Sequence, residues 1–352
     1  MSPSIPNRHG KAEAFDYLCV DEFMKDIVGA RALATAFELG FIDYFIKNPS
    51  YTLGDLKKRF RIDGQGLQLL LDLLIRNNVI EKRGGEITLC RQFVKALQYR
   101  DLLEARVAFA NYVAPDFTAL FSSLINRPDW FFRKARIFDL FSYNRCIEYS
   151  PENYRLTKRW MQITTALTKY EARVCMKYHD FSLYKHMLDI GGNSGEFVLQ
   201  ICKEHPGISA SVFDLPLVCD IGEEHVRYEP EKDRITFIKG NALADALPKS
   251  FDLITFKSML HDWPEEEARQ LITKASDSLS RGGTLLIFER APFEVEGNQL
   301  PYSVIPFLLF FRSYRSPVLY EESLNSLGFQ NIAIEKISLE MPFHLITAKK
   351  GA

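Results

Sequence analysis

The chain lacks most features that would assign it quickly. Its six cysteines, at 19, 90, 146, 175, 202 and 219, never fall within four positions of one another. The C-x-x-C spacing of zinc and redox sites is therefore absent, and reduced, mostly structural thiols are expected. Neither sign of charge is in excess, with 44 Lys and Arg against 45 Asp and Glu. That balance excludes a whole-chain footprint for nucleic acid and an acidic tail. Residues 1–10 are polar, contain two prolines and have no apolar core of the kind a secretory leader needs. The most apolar later run, residues 303–311, is broken by Pro306 and is too short to span a bilayer. A soluble, cytoplasmic protein with no membrane or nucleic-acid partner is expected, and no internal repeat or low-complexity tract is evident.

With 352 residues the chain exceeds one ordinary core and suits two domains. Over residues 12–45 apolar positions recur at three and four, predicting two amphipathic helices that end near Asn48-Pro49. A short helix opens at residues 51–56, Gly64 and Gly66 are expected to turn the chain, residues 67–75 predict a strongly apolar helix, and residues 81–89 around Gly84-Gly85 predict a β-hairpin. Helix, turn, helix and wing make a winged-helix pattern. A groove-reading helix needs polar or basic side chains on its exposed face. This one carries six leucines and only Arg76 as a base, so burial against a partner subunit is favoured over DNA binding. Residues 102–178 predict helices rich in aromatics. After 181 the texture changes to short β-rich runs at 187–190, 209–213, 235–238, 251–256 and 284–288, alternating with helices. Such alternation predicts βαβ units and a parallel sheet covered on both faces.

The first of these strands runs into Asp189-Ile190-Gly191-Gly192-Asn193-Ser194-Gly195-Glu196. Glycines there let the backbone approach a ligand at the carboxyl end of the strand. The dinucleotide fingerprint needs glycines at i, i+2 and i+5, and here they stand at 191, 192 and 195. Nicotinamide binding is thereby disfavoured. Asp189 and Glu196 flank the loop, which suits a cationic ligand, such as a sulfonium with an ammonium tail, better than a pyrophosphate. Asp214, ending the second strand, can accept hydrogen bonds from ribose hydroxyls or can cap the Leu215-Pro216-Leu217 helix.

The chemistry concentrates in Lys257-Ser258-Met259-Leu260-His261-Asp262-Trp263-Pro264. His261 follows the fourth strand just before Pro264 starts a helix, which places it at the ligand edge of the sheet. A phenol has a pKa of about 10, so ionising it at pH 7 costs roughly 4 kcal/mol, and a neutral imidazole beside the hydroxyl removes much of that barrier. Asp262 with Glu265 also fits a helix capping box.

Taken together, Asp189-Ile190-Gly191-Gly192 with Gly195, Phe213-Asp214-Leu215-Pro216 and Lys257-x-x-x-His261-Asp262-Trp263 resemble the plant caffeate and isoflavone, animal hydroxyindole and bacterial antibiotic-tailoring O-methyltransferases. The resemblance spans nearly the whole chain. It implies a Rossmann-like α/β domain binding S-adenosylmethionine at residues 181–352, behind an N-terminal winged-helix dimerisation domain at 1–100. A helical connector at 101–180 would contribute to the substrate pocket, and the protein would be a homodimer acting on a small molecule. It also implies His261 as general base and Glu289 as the acid that orients it. Asp189, Gly191, Gly192, Asp214, Asn241, Ala242 and Lys257 would contact the cofactor, and Trp160, Met161, Phe307 and Tyr314 the substrate.

Three positions depart from that pattern. Asn241-Ala242 replaces an acid that contacts adenine, although an amide oxygen can still accept one hydrogen bond. Ser258 replaces an aromatic residue. Tyr314, before Arg315-Ser316, stands where a second orienting Glu is expected. The leading expectation is methylation of a hydroxyl on an aromatic metabolite. Two alternatives are a member that keeps the cofactor without transferring methyl, for pericyclic or decarboxylative chemistry, and a winged-helix regulator.

Overall fold

The computed structural model describes residues 15–48, 50–295 and 300–351. Residues 1–10, from which the absence of a leader was inferred, lie outside the described residues, as do residues 12–14 and Pro49. Among the described residues no helix is long and apolar enough to cross a membrane. The six cysteines are all unpaired.

The N-terminal third begins with a 3₁₀ turn, Asp16–Phe23, followed by helices Ile27–Glu38 and Phe41–Lys47. Asp26 caps the first of these helices, accepting the backbone N–H of Gly29 at 2.8 Å. The two-residue strand β1 (Tyr51–Thr52) leads into helix Leu53–Arg59, which Thr52 and Asp55 close with a reciprocal capping box. Helix Gly64–Arg76 then precedes the hairpin of β2 (Ile80–Arg83) and β3 (Glu86–Leu89), and the three strands are ordered β1-β3-β2. Gly84 and Gly85 have φ of 58° and 90°, the left-handed pair that a two-residue hairpin requires.

Two expectations need correction here. Gly64 and Gly66 do not turn the chain; they form the first turn of the helix, where Asp63 accepts the N–H groups of Gln65 and Gly66 at 2.9 Å. A Cβ on Gly66 would lie 2.7 Å from Asp63 Oδ2, so glycine is what lets the cap close. Nor do most leucines of that helix await a partner: Leu67, Leu70, Leu71 and Leu74 pack into the chain's own core, whereas Leu69 is 61% exposed.

The middle of the chain is helical: Arg100–Asn126, Pro128–Lys134, Ile137–Leu140, a 3₁₀ turn Tyr143–Cys146, and Pro151–Tyr178. Ser150 caps the last of these, and Pro151 occupies the first turn, where no intrahelical N–H is needed.

The rest forms a seven-stranded sheet of β4 (His186–Ile190), β5 (Ser209–Asp214), β6 (Ile235–Lys239), β7 (Phe251–Lys257), β8 (Leu279–Arg290), β9 (Gln330–Ile337) and β10 (Phe343–Lys349). Its order is β6-β5-β4-β7-β8-β10-β9. The first five strands in that order are parallel, as the alternating texture predicts. The sheet is not wholly parallel, however, because β10 runs antiparallel to both β8 and β9. The alternating βα pattern stops before this final hairpin, and β9 is an edge strand with seven consecutive non-buried residues at 330–336, so no clean apolar run marks it. Because the chain moves outward from β4 to β6 and then returns to β7, the loops after β4 and β7 meet where the strand order reverses. That crevice is where open α/β sheets bind ligands.

Candidate functional site

A cavity of about 620 Å³ opens over the carboxyl ends of the parallel strands, within the size range of small-molecule sites. Gly191, Asp214, Asn241, Ala242 and Lys257 line one end of it. Phe109, Phe138, Phe141, Trp160, Phe307 and Phe310 supply aromatic surface, and His261 and Tyr314 also face it.

The glycine loop is built for close approach. Gly191 has φ +69°, and a Cβ there would lie 2.4 Å from Met259 Cγ. A Cβ on Gly192 would come within 2.7 Å of Asp189 Oδ2. Asp189 and Gly192 are nevertheless absent from the cavity wall. Asp189 is buried, its Oδ1 accepting from the Thr255 hydroxyl at 2.6 Å while Oδ2 finds no partner among the described residues, and burial pushes its pKa up to about 7. Glu196 also turns away from the loop, towards Gln200 Nε2 at 2.8 Å and His225 Nε2 at 2.5 Å. The loop is thus less flanked by exposed carboxylate than its sequence implies.

Asp214 ends β5 and accepts the N–H groups of Asn193 at 2.8 Å and Leu215 at 2.7 Å. It does not cap the following helix Pro216–Val226, whose N-cap residue is Leu215. Enclosure pushes its pKa up to about 6 against the pull of those two donors, so further donors would be welcome. Asn241 Oδ1 already accepts the Leu243 N–H at 3.0 Å and retains one lone pair.

Lys257 does not reach freely into the cavity. Its ammonium donates to the Thr168 hydroxyl at 2.8 Å and pairs with Glu171, which also binds Arg290. Burial disfavours ionisation of Glu171, but Arg290 and Lys257 outweigh it and hold the pKa down to about 2. Trp160, Thr164, Leu167, Thr168 and Glu171 line the cavity at the three-and-four spacing of one helix face. Met161 lies about 100° around that helix from Trp160, is 2% exposed, and packs into the core instead of the cavity.

His261 lies in the 3₁₀ turn Leu260–Asp262 that follows β7. The turn is entered through Ser258 at φ +51°, a rare backbone state for a serine. Glu289, fully buried at the end of β8, organises it. Its Oε1 accepts the N–H groups of Met259 and Leu260 at 2.7 and 2.6 Å, and its Oε2 lies 2.6 Å from His261 Nδ1. Burial works against charge on both partners. The imidazole and the two backbone donors still hold the Glu289 carboxyl below its ordinary range, and Glu289 with Asp262 raises the His261 pKa above 6.5.

Several contributors escape sequence reasoning. Asp262 forms no capping box, since helix Glu265–Ser278 has Pro264 at its N-cap; its Oδ2 accepts the Tyr143 hydroxyl at 2.6 Å and its Oδ1 lies 3.4 Å from His261 Nε2. Tyr143, brought in by the helical segment, stacks on Trp263 at 5.7 Å. Arg315 donates to the Leu260 carbonyl at 2.7 Å and to that of Trp263, clamping both sides of the His261-Asp262 pair. Arg290 adjoins Glu289 in sequence yet lines the cavity. Nothing in the sequence pairs it with Glu171, which is 119 positions away.

The fold is that of the S-adenosylmethionine-dependent methyltransferases. A solved structure of human N-acetylserotonin methyltransferase in complex with SAM is similar at a TM-score of 0.73 and 20% identity, covering 98% of this chain and 100% of that one. By sequence, acetylserotonin O-methyltransferase of Homo sapiens is 24% identical over 93% of this chain and 96% of its own length. The 3-hydroxy-5-methyl-1-naphthoate 3-O-methyltransferase of Streptomyces sahachiroi is 34% identical, but that match spans only 31% of this chain and 32% of that protein. An O-methyltransferase domain matches residues 123–330, more than half of the chain, and the protein belongs to that S-adenosylmethionine-dependent O-methyltransferase family.

Proposed function

We propose that the protein transfers the methyl group of S-adenosylmethionine to a hydroxyl of a small aromatic metabolite, with His261 as general base. One observation carries this reading: the 2.6 Å contact of His261 Nδ1 with Glu289, beside a cavity that also holds Gly191 and Asp214. A carboxylate on Nδ1 fixes the proton there and leaves Nε2 to accept another. Two relatives named above act, by name, on acetylserotonin and on a hydroxynaphthoate, and the aromatic lining suits such flat molecules.

S-adenosylmethionine supplies a methyl group on a positively charged sulfur, open to in-line displacement. Asp214 would accept its ribose hydroxyls, the Gly191 backbone would approach it closely, Asn241 and Ala242 would flank the adenine, and Lys257 would border the site from its pairing with Glu171. The chain's remaining tasks are to hold the hydroxyl against His261, exclude water and take the proton. Placing the reactants accounts for much of the acceleration, and proton abstraction adds typically ~10²–10⁴-fold. Glu289 then stabilises the imidazolium.

The same reading divides the chain into a winged-helix dimerisation domain at 1–100, a connector at 101–180 that shapes the substrate pocket, and a catalytic domain at 181–352. Homodimerisation is supported by large apolar side chains left in solvent on the N-terminal part, among them Ile27, Val28, Leu39, Ile46 and Leu69. Tyr314, whose hydroxyl has no hydrogen-bond partner among the described residues, motivates a second reading in which the cofactor's charge assists a reaction without methyl transfer. Incubation with S-adenosylmethionine and a panel of hydroxylated bicyclic arenes separates the two. Stoichiometric S-adenosylhomocysteine and methyl ether support transfer, while converted substrate with intact S-adenosylmethionine refutes it.

A further inference from the structure

The aromatic part of the cavity contains polar donors that the reaction described above does not use. Tyr314 is 7% exposed, and its ring centroid lies 5.5 Å from that of His261. Its hydroxyl has no hydrogen-bond partner among the described residues, and burial raises its pKa, so it remains a protonated donor. Arg290, also 7% exposed and lining the cavity, has its guanidinium over the ring faces of Phe307 at 4.9 Å and Phe343 at 4.8 Å. One terminal nitrogen donates to the Ser258 hydroxyl at 3.2 Å and the other pairs with Glu171. Nε has no partner among the described residues, but it is enclosed and closed to a ligand. A guanidinium offers five N–H donors, so the second hydrogens of the two terminal nitrogens, which Ser258 and Glu171 do not use, remain for an acceptor in the cavity. Phe307 and Tyr314 belong to one packed cluster, so phenol and guanidinium border the same corner of the cavity.

Unfilled donors enclosed by aromatic surface are costly unless a ligand supplies acceptors. The complementary group is an oxygen acceptor, best an anionic one, because a charged acceptor strengthens each bond and matches the planar fork of an arginine. The corner adjoins His261, so the acceptor must sit close to the hydroxyl that loses its proton.

We propose that Tyr314 and Arg290 form a specificity subsite for a carboxylate on the ring carbon next to the hydroxyl, so that the accepted substrate is an ortho-hydroxy aromatic acid. The inference rests on the reading of His261 as the base and adds the substrate's chemical class. Both residues touch substrate, and neither takes the proton.

The test is binding of two probes that differ only in the carboxylate, 3-hydroxy-2-naphthoate and 2-naphthol, titrated into the full-length protein with S-adenosylhomocysteine present. Because it needs no turnover, loss of methyl transfer would count against the proposed function and leave this comparison standing. The wild type is expected to bind the acid about tenfold or more tightly than the naphthol, the range of one charge-assisted hydrogen bond. Tyr314→Phe and Arg290→Gln should each cut that preference, read as the ratio of the two affinities, by roughly threefold or more. If Arg290→Gln fails to fold, because it also loses the Glu171 pair, Tyr314→Phe alone carries the test. Equal wild-type affinity for the two probes, binding of neither, or a Tyr314→Phe protein that weakens both equally would overturn the proposal.

Discussion

His261 Nδ1 lies 2.6 Å from one oxygen of Glu289, while the other oxygen takes the backbone N–H groups of Met259 and Leu260, the two residues just before that histidine. One carboxylate therefore sets both the path of the loop and the tautomer of the ring. In Glu289→Gln the amide would donate to Nδ1, moving the imidazole proton to Nε2 and disabling the base. We expect kcat to fall on the order of 10-fold or more, and the melting temperature to drop because the two backbone donors are also disturbed. Steady-state kinetics with thermal denaturation checks both; unchanged kcat would separate Glu289 from the chemistry.

The raised pKa of His261 fixes the sign of a pH effect. The base is active when neutral, so kcat/KM should rise with pH through a midpoint above 6.5. Stability runs the other way. The charged pair contributes fully below the unfolded-state value, and the contribution is lost as pH rises through the folded one. Glu289→Gln should move the kinetic midpoint downward. A profile flat between pH 6 and 9 would contradict a titrating base.

Asp214 gives a second, independent pH dependence. Its pKa of about 6 means that ribose hydroxyls compete with a proton for the carboxylate. Affinity for S-adenosylhomocysteine should be level above that value and weaken by up to about tenfold per unit below it. Calorimetry across pH 5 to 8 measures this directly. Asp214→Asn should flatten the dependence and weaken binding at neutral pH.

The loop clamp predicts a loss that no cofactor contact explains. Arg315 holds the Leu260 and Trp263 carbonyls around His261-Asp262. Arg315→Ala should destabilise the fold by about 1–3 kcal/mol, as buried acceptors lose a charged donor, and lower kcat more than it changes S-adenosylhomocysteine affinity. Denaturant unfolding and titration of the same protein separate these outcomes.

Light scattering at micromolar concentration should report a dimer, and Leu69→Glu, at a residue 61% exposed, should shift it towards monomer. A monodisperse wild-type monomer would contradict the proposed dimerisation.

Local rules made the parallel strands, the glycine loop and the placement of His261 legible in the sequence, because each rests on neighbours within a few positions. Relations between distant residues were not. Glu171 meets Lys257 and Arg290 across 86 and 119 positions, and Tyr143 reaches Asp262 across 119. Met161 shows the same limit from the other side. The family resemblance placed it in the site, whereas the turn of the helix carries it into the core. The leucines of helix Gly64–Arg76 were apolar enough to suggest a partner, but only the fold could reveal that most already had one within the chain.

In the proposed reaction His261 takes the proton of a hydroxyl while other residues bind the cofactor. The most direct test measures His261→Ala beside wild type, by calorimetry with S-adenosylhomocysteine and by methyl transfer from methyl-¹³C S-adenosylmethionine to 3-hydroxy-2-naphthoate and related hydroxyarenes. Carbon shifts in the product identify the atom methylated. Expected are an O-methyl product from wild type, S-adenosylhomocysteine affinity in the variant within a few-fold of wild type, and kcat lower on the order of 10²-fold or more. Wild-type turnover by His261→Ala, or methylation at nitrogen or carbon, would contradict the proposed reaction.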